Sequence, residues 1–304
     1  MVDKPFSVSI NPSYFCNFRC NFCYLTPEQL GDQKKIDPKK LDKLLSNIPK
    51  IDHIDLYGGE IGALKKDYYY EIKSVIRKHY NDYININTNF SMLDDRFFED
   101  DITLSVSYDF SAREKSKLVF QNMLMSPKPI SVLILASEEV LKLDINSMIK
   151  QLNMCKSIIS VEIKPYSTNQ ANKHVVTHKD FENFVIKWIE SPVKKRFEFQ
   201  NLNRIKRSVR KEYNAFSDDH IYITPNGKYA VLAFDKEDSE YFLEFTNYSS
   251  FEQWAWTEKK TLSTICSGCY WKGHCLTEHY RHVKDLRNSC NGYINLLSRY
   301  SNAF

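Results

Sequence analysis

The stretch Cys16-Asn17-Phe18-Arg19-Cys20-Asn21-Phe22-Cys23-Tyr24 decides how the rest of the chain reads. Its three cysteines are separated by three and then two residues. They follow Phe6-Ser7-Val8-Ser9-Ile10, whose alternation reads as a short strand. Three thiolates can hold three irons of a cubic [4Fe–4S] cluster and leave the fourth iron open to another ligand. The other reading is zinc. A structural zinc site is closed by four ligands, usually in paired C-x-x-C units. Only one such pair is present here, and no fourth ligand lies nearby in sequence.

Downstream of this loop, short β-branched runs alternate with longer amphipathic ones. Strands are predicted at His53–Tyr57, Tyr83–Thr88, Ile102–Tyr108, Ile130–Ala136 and Ile158–Lys164. Helices are predicted from Asp37 to Ile48, Asp67 to Tyr80, Asp94 to Glu99, Ser111 to Met125, Ser137 to Met154 and Asp180 to Glu190. Asp37-Pro38 is an N-cap followed by a first-turn proline, with Leu41, Leu44, Leu45 and Ile48 on one face. Six strand-helix units imply parallel strands and right-handed crossovers, an α/β partial (β/α)6 barrel with chemistry at the C-terminal strand ends. The cysteine loop, Gly58-Gly59-Glu60, Thr88-Asn89, Ser107 to Asp109 and Pro165-Tyr166 all fall at those ends. An incomplete barrel also leaves a lateral opening wide enough for a large substrate such as a peptide.

After Pro192 the period is lost. Residues 191–217 carry eight Lys and Arg against two Glu, a surplus of six positive charges in a chain of net charge +4. That segment reads as a solvated linker helix or as a docking surface for an acidic partner. From His220 the pattern becomes hairpins: His220–Thr224 and Lys228–Phe234 flank Pro225-Asn226-Gly227. Tyr241–Phe245 reads as a third strand, Ser249–Trp256 as a short helix and Cys290–Tyr300 as a last helix. Between them lie Cys266, Cys269, Cys275 and Cys290, a set able to hold a cluster or, with His274, His279 or His282 as substitutes, zinc. The remaining cysteine, Cys155, reads as a packed core thiol.

The predicted organisation is a barrel over 1–190, a basic linker over 191–217 and a small α+β domain over 218–304. The composition is that of a globular protein, 42% hydrophobic and 26% charged, with no apolar run of membrane-spanning length. Met1-Val2-Asp3-Lys4-Pro5 lacks a signal-peptide core, which points to the cytoplasm. The modest net charge does not imply a nucleic-acid partner.

With the aromatic Tyr24 after its last cysteine, the loop resembles that of the radical S-adenosylmethionine (SAM) enzymes. The resemblance implies that Cys16, Cys20 and Cys23 hold a [4Fe–4S] cluster whose open iron chelates SAM. Reductive cleavage then gives a 5′-deoxyadenosyl radical that takes a hydrogen atom from substrate. Gly58-Gly59-Glu60 resembles the motif binding the methionine amino group, with Ile61 where most members have proline. Tyr24, Thr88, Asn89, Ser107 and Asp109 resemble positions on the SAM and substrate side, and Asp109 is the candidate acid–base residue. Leu133 to Ser137 lacks the glycine that many members place against adenine. Tyr57, Tyr108, Tyr166 and Lys164 are inward-facing candidates for substrate contact.

Cys266, Cys269, Cys275 and Cys290 resemble the auxiliary-cluster site of SPASM and twitch domains. Full SPASM domains have a further cysteine after the hairpin glycine; none stands at Val231–Ala233, which implies one auxiliary [4Fe–4S] cluster. The implied activity is modification of a ribosomally made peptide by crosslinking, thioether formation, epimerisation or oxidation. The electron donor would be a flavodoxin or ferredoxin. No leader-binding extension precedes the first strand, so a separate leader-binding protein or the basic segment would recognise the precursor. Modification of RNA or of a small metabolite, and a non-catalytic zinc protein, are the alternatives.

Overall fold

The computed structural model describes residues 5–166, 175–212, 219–232, 242–277, 290 and 292–303. In chain order the elements are β1 (Phe6–Ile10), α1 (Pro27–Gly31), α2 (Pro38–Ser46), β2 (Ile51–Leu56), α3 (Lys66–Arg77), β3 (Ile84–Thr88), β4 (Ile102–Ser107) and α4 (Ser116–Met125). Next come β5 (Ile130–Ala136), α5 (Glu138–Leu141), α6 (Ile145–Met154), β6 (Ile158–Pro165), α7 (His178–Glu190), β7 (Glu198–Phe199) and α8 (Gln200–Val209). The C-terminal part holds β8 (His220–Ile223), β9 (Tyr229–Leu232), β10 (Phe242–Phe245), α9 (Tyr248–Ile265) and α10 (Ile294–Tyr300).

β1 to β6 pair in parallel in sequence order, as the alternation predicts. The C-terminal hairpin does not form a sheet of its own. β8 pairs in parallel with β1, Ser7 opposite His220 and Ile10 opposite Ile223, and β9 and β10 continue outward antiparallel. The sheet order is therefore β10-β9-β8-β1-β2-β3-β4-β5-β6-β7. Positions 233, 234 and 241 of the predicted hairpin strands lie outside the described residues.

Strand alternation explains why the barrel is hollow. Val8, Ile10, Ile54, Leu56, Ile84 and Ile86 are wholly buried on the helix side. Their neighbours Ser9, Asp55, Asn85, Thr103, Ser105 and Ser131 face the lumen. In a filled barrel bulky branched residues occupy those lumen positions. Small polar ones leave a cavity of about 890 Å³ running along the strands. The same parity corrects Tyr108. Ser107 faces the lumen, so Tyr108 points outward, buried against Phe110 and Phe120, with its hydroxyl accepting from Gln151 Nε2 at 2.7 Å.

Helix boundaries differ where polar side chains intervene. The predicted run Ser137–Met154 breaks into α5 and α6 because Asp144 accepts from Ser147 N at 2.8 Å and caps a new helix. α4 begins at Ser116 instead of Ser111, after a 3-10 turn over Phe110–Ala112. α9 runs to Ile265, well beyond Trp256.

The basic segment is not a solvated linker over its helical part. Asn201 of α8 pairs its amide with both backbone groups of Ile163 on β6, accepting from the N–H and donating to the carbonyl, each at 2.8 Å. Ile205 is wholly buried. α10 packs beside α7, where Glu182 accepts from Leu296 N and Asn295 Nδ2, each at 3.2 Å. Together α8 and α10 cover the β6 side that an incomplete barrel leaves open.

Candidate active site

The cysteine loop lies across the mouth of the lumen at the C-terminal strand ends. Its anchors come from the loops that follow several different strands. Cys16 N donates to Leu30 O at 3.1 Å, and Asn17 Nδ2 donates to Ser91 Oγ at 2.9 Å. Arg19 N donates to Glu114 Oε2 at 2.5 Å, and Asn21 Nδ2 to Glu139 Oε1 at 2.6 Å. All three cysteines line the cavity. Burial pushes the Cys16 thiol up to about 11 and the Cys23 thiol up to about 12, and raises Cys20 as well. Each of the three is close enough to the others that ionising one opposes ionising the next. Such thiols become thiolates only with compensating positive charge, which a metal would supply.

N–H donors reach the sulfurs. Cys16 Sγ accepts from Phe18 N at 3.4 Å and from Asn89 Nδ2 at 3.8 Å. Cys20 Sγ accepts from Arg113 Nη1 at 3.9 Å. This donor set fits a cluster, whose sulfurs take hydrogen bonds.

The glycine pair is fixed by the loop it supports. Gly59 N donates to Ser13 O at 3.1 Å and Glu60 N to Phe15 O at 2.8 Å. A Cβ on Gly59 would lie 2.1 Å from Phe15 O and 2.4 Å from Tyr14 O, so no side chain fits. Gly58 has φ +151°, and a Cβ there would lie 2.8 Å from Ser13 O. Tyr24 stacks on Tyr57, ring centroids 5.8 Å apart, and donates to Gly58 O at 3.3 Å. Burial pushes the Tyr24 hydroxyl well above the usual phenol range.

Glu60 is buried behind the cavity wall. Its Oε1 accepts from Gly62 N at 2.9 Å and Thr88 Oγ1 at 2.7 Å, and its Oε2 accepts from Asn89 N at 2.7 Å. The carboxylate thus ties the β2 loop to the β3 loop, while Gly58 and Gly59 face the lumen. Thr88, Asn89 and Ser107 also line the lumen. Asn89 donates to Asn17 Oδ1 at 2.8 Å, so the β3 end holds the cysteine loop as well as flanking it.

Asp109 is buried with both oxygens engaged. Oδ2 accepts from Arg113 Nε at 2.9 Å and Nη2 at 2.6 Å, and Oδ1 accepts from Leu135 N at 2.6 Å. Burial pushes its pKa up against the pull of Arg113. Its hydrogen bonds orient the guanidinium that reaches Cys20. Sequence reading passed over Arg113. The only local signal is its spacing of four from Asp109, across the single 3-10 turn Phe110–Ala112.

A second polar group lies deeper in the lumen and was also passed over. Asp55 Oδ1 meets His53 Nε2 at 3.2 Å and accepts from Asn85 Nδ2 at 2.6 Å. Ser9 Oγ lies 3.1 Å from His220 Nε2 and 3.4 Å from Asp55 Oδ2. On the opposite wall Lys164 and Arg204 both reach Glu162 Oε1, at 2.8 and 2.7 Å. Tyr57, Tyr166 and Lys164 line the lumen.

The four C-terminal cysteines converge from separate segments. Cys266 caps α9, and Cys269 N donates back to Cys266 O at 3.0 Å. Leu276 N donates to Gly292 O at 3.2 Å, which sets Cys275 beside Cys290. A Cβ on Gly292 would lie 3.1 Å from Cys275 Sγ and 3.3 Å from Cys290 Sγ. Every pair among the four interacts electrostatically. Burial pushes Cys275 up to about 12. Leu276 and Tyr293 line the lumen, so this site stands directly behind its wall. His279 and His282 lie outside the described residues.

Among the described residues no three Cys, His, Asp or Glu groups converge as ligands of one ion do. None of the eight cysteines is in a disulfide, and Cys155 is buried in the core.

The radical SAM superfamily model matches residues 10–107, from the end of β1 to the end of β4. Over that segment, about a third of the chain, the sequence is similar to the radical SAM superfamily. No curated protein matches the chain in sequence. Among solved structures the likeness in fold continues past the matched segment. Native anSMEcpe with bound AdoMet and Cp18Cys peptide superposes with TM-score 0.65 at 13% identity, covering 99% of each chain. SuiB from Streptococcus suis, bound to precursor peptide SuiA, superposes with TM-score 0.54 at 16% identity, covering 75% of this chain. This chain spans 59% of the length of that SuiB chain. SuiB bound to S-adenosylmethionine superposes with TM-score 0.57 at 15% identity over 90% of this chain and 72% of the other. No helix among the described residues is long and apolar enough to cross a membrane.

Proposed function

We propose that this chain is a radical SAM enzyme that modifies a peptide, with Cys16, Cys20 and Cys23 holding a [4Fe–4S] cluster. The observation that carries the reading is the seating of three thiols, Cys16 buried and Cys20 and Cys23 half-buried, each within electrostatic reach of the others, over one end of a polar, hollow barrel. When bound, the cluster and SAM supply a one-electron cleavage that yields a radical able to take a hydrogen atom from an unactivated carbon.

The chain's own residues hold and shield. The Gly58 and Gly59 backbone lies against the lumen where an ammonium group needs carbonyl acceptors, and Glu60 keeps that backbone in place through Thr88 and Asn89. Ser107 offers a hydroxyl, while Leu133 and Leu135 offer an apolar wall for a nucleobase. Residues of α8 and α10, among them Asn201, Arg204 and Leu296, wall the lumen and would limit the access of water to a bound cofactor.

The second set, Cys266, Cys269, Cys275 and Cys290, is assigned to one auxiliary cluster. Four thiolates close it, which suits electron transfer across the wall formed by Leu276 and Tyr293. The proposed division is a radical SAM barrel over 1–190, the α8-bearing segment over 191–217 and a cluster domain over 218–304 that lends β8, β9 and β10 to the barrel's own sheet. The peptide substrate is favoured by anSMEcpe and SuiB, both solved with peptides bound. A low-potential donor such as flavodoxin or ferredoxin would feed the electrons.

Anaerobic reconstitution tests this. Two sets of iron and sulfide, and 5′-deoxyadenosine formed from SAM under dithionite, are expected. Replacing Cys16, Cys20 and Cys23 together by Ala should abolish 5′-deoxyadenosine and leave the second set of irons. Recovery of zinc without iron, or cleavage of SAM by the triple variant, defeats the assignment.

A further inference from the structure

Arg113 is the one cation with a side-chain nitrogen on a cysteine sulfur of the loop among the described contacts, and its placement is over-determined. Asp109 takes two of its nitrogens in a fork, and Leu135 N fixes Asp109 in turn. The guanidinium carbon lies 5.4 Å from the Phe22 ring centroid, on the aromatic between Cys20 and Cys23. The third nitrogen, Nη1, is left directed at Cys20 Sγ, 3.9 Å away. Both charged side chains are almost fully buried, 10% exposed for Arg113 and 1% for Asp109, so water screens their charge little. Structural bracing alone does not call for a charge there. The loop is already tied down at Cys16, Asn17, Arg19 and Asn21 by other partners.

We propose that Arg113 is a positioning residue that sets the reduction potential of the site held by Cys16, Cys20 and Cys23, and that Asp109 opposes it. The inference rests on the cluster reading above. The couple is one electron from an external low-potential donor such as dithionite entering the oxidised site, with no bond made or broken. Reduction adds negative charge beside Cys20. A cation with an N–H on that sulfur favours the reduced state, and the carboxylate behind it weakens that preference.

The two residues therefore move the potential in opposite directions. The test is a redox titration of the reconstituted full chain, following the electron paramagnetic resonance signal that changes on adding SAM, in wild type, R113Q and D109N. R113Q should shift the reduced-to-oxidised ratio at fixed poise about tenfold toward oxidised, which is about 59 mV for a one-electron couple. D109N, which keeps an acceptor for Leu135 N, should shift it toward reduced. Shifts of the same sign, no shift in either variant at full iron content, or loss of iron from both, overturn the proposal. If only R113Q loses iron, the sign of the D109N shift decides it. If wild type itself holds no cluster, the radical SAM reading fails and takes this inference with it. A cluster with an unmoved potential defeats the inference alone.

Discussion

Replacing Gly59 by alanine adds one methyl group at the tightest point beneath the cysteine loop. The Cβ would sit 2.1 Å from Phe15 O, 2.4 Å from Tyr14 O and 2.5 Å from Phe15 C. Ordinary contact needs about 3.5 Å, so the backbone carrying Phe15 and Cys16 has to retreat by more than an ångström. Those contacts are backbone atoms, and no rotamer change relieves them. The retreat breaks Gly59 N to Ser13 O and Glu60 N to Phe15 O. Two backbone hydrogen bonds contribute about 1–3 kcal/mol together, and overpacking of this kind costs about 1–3 kcal/mol more. The expected loss is about 2–6 kcal/mol, which lowers Tm by at least about 3 °C in a chain of this size. Because Phe15 adjoins Cys16, iron uptake should fall along with stability. Thermal unfolding of the iron-free protein reads the first effect and iron counting after reconstitution the second. Gly31→Ala is the control, with nothing within 4 Å of its Cβ and a change expected within about 0.5 kcal/mol. A G59A protein with wild-type Tm and iron content refutes the geometry of this contact.

Two further outcomes follow from the lumen and its side wall. Asn201→Ala removes both bonds to the Ile163 backbone and should destabilise the protein by about 1–3 kcal/mol in denaturant unfolding, because the edge of β6 then lacks partners. The hydrogen bond to Asp55 raises the His53 pKa, against an opposing push from burial. Asp52 and Asp82 add to the raising, and His220 faces the same carboxylate. A raised imidazole contributes stability that is complete below its unfolded pKa of about 6.5 and is lost as pH rises through the folded value. Proton NMR should show His53 titrating above about 6.5. D55N should bring its midpoint down, and an unchanged midpoint would show that the pair does not interact.

The strands and their order were legible because alternation is local and parallel crossovers follow from it. The cysteine spacing was legible for the same reason. Partners far apart in sequence were not. Glu60 reads as a ligand for an ammonium group because Gly-Gly-Glu says nothing of Thr88 and Asn89, which take up its carboxylate from another strand. Asp109 reads as an acid–base residue until Arg113 and Leu135 are seen to occupy its oxygens. Residues 200–209 read as a charged linker because six basic side chains between 204 and 211 and at 196 outweigh the few positions, Asn201 and Ile205 among them, that dock. Tyr108 needed only strict parity with Ser107 to be placed outside the lumen.

By itself the sequence determined the motifs on which the proposed chemistry rests. Thiol spacing, strand period and the glycine pair are properties of neighbouring residues, and the chain carries them however it packs. The tertiary structure decided which side chains face the lumen and which are held by other side chains. Hydrogen bonding and burial allot each carboxylate's lone pairs, and those partners arrive from other strands. That is why Arg113 emerges only once the loops after β1 and β4 meet over the lumen.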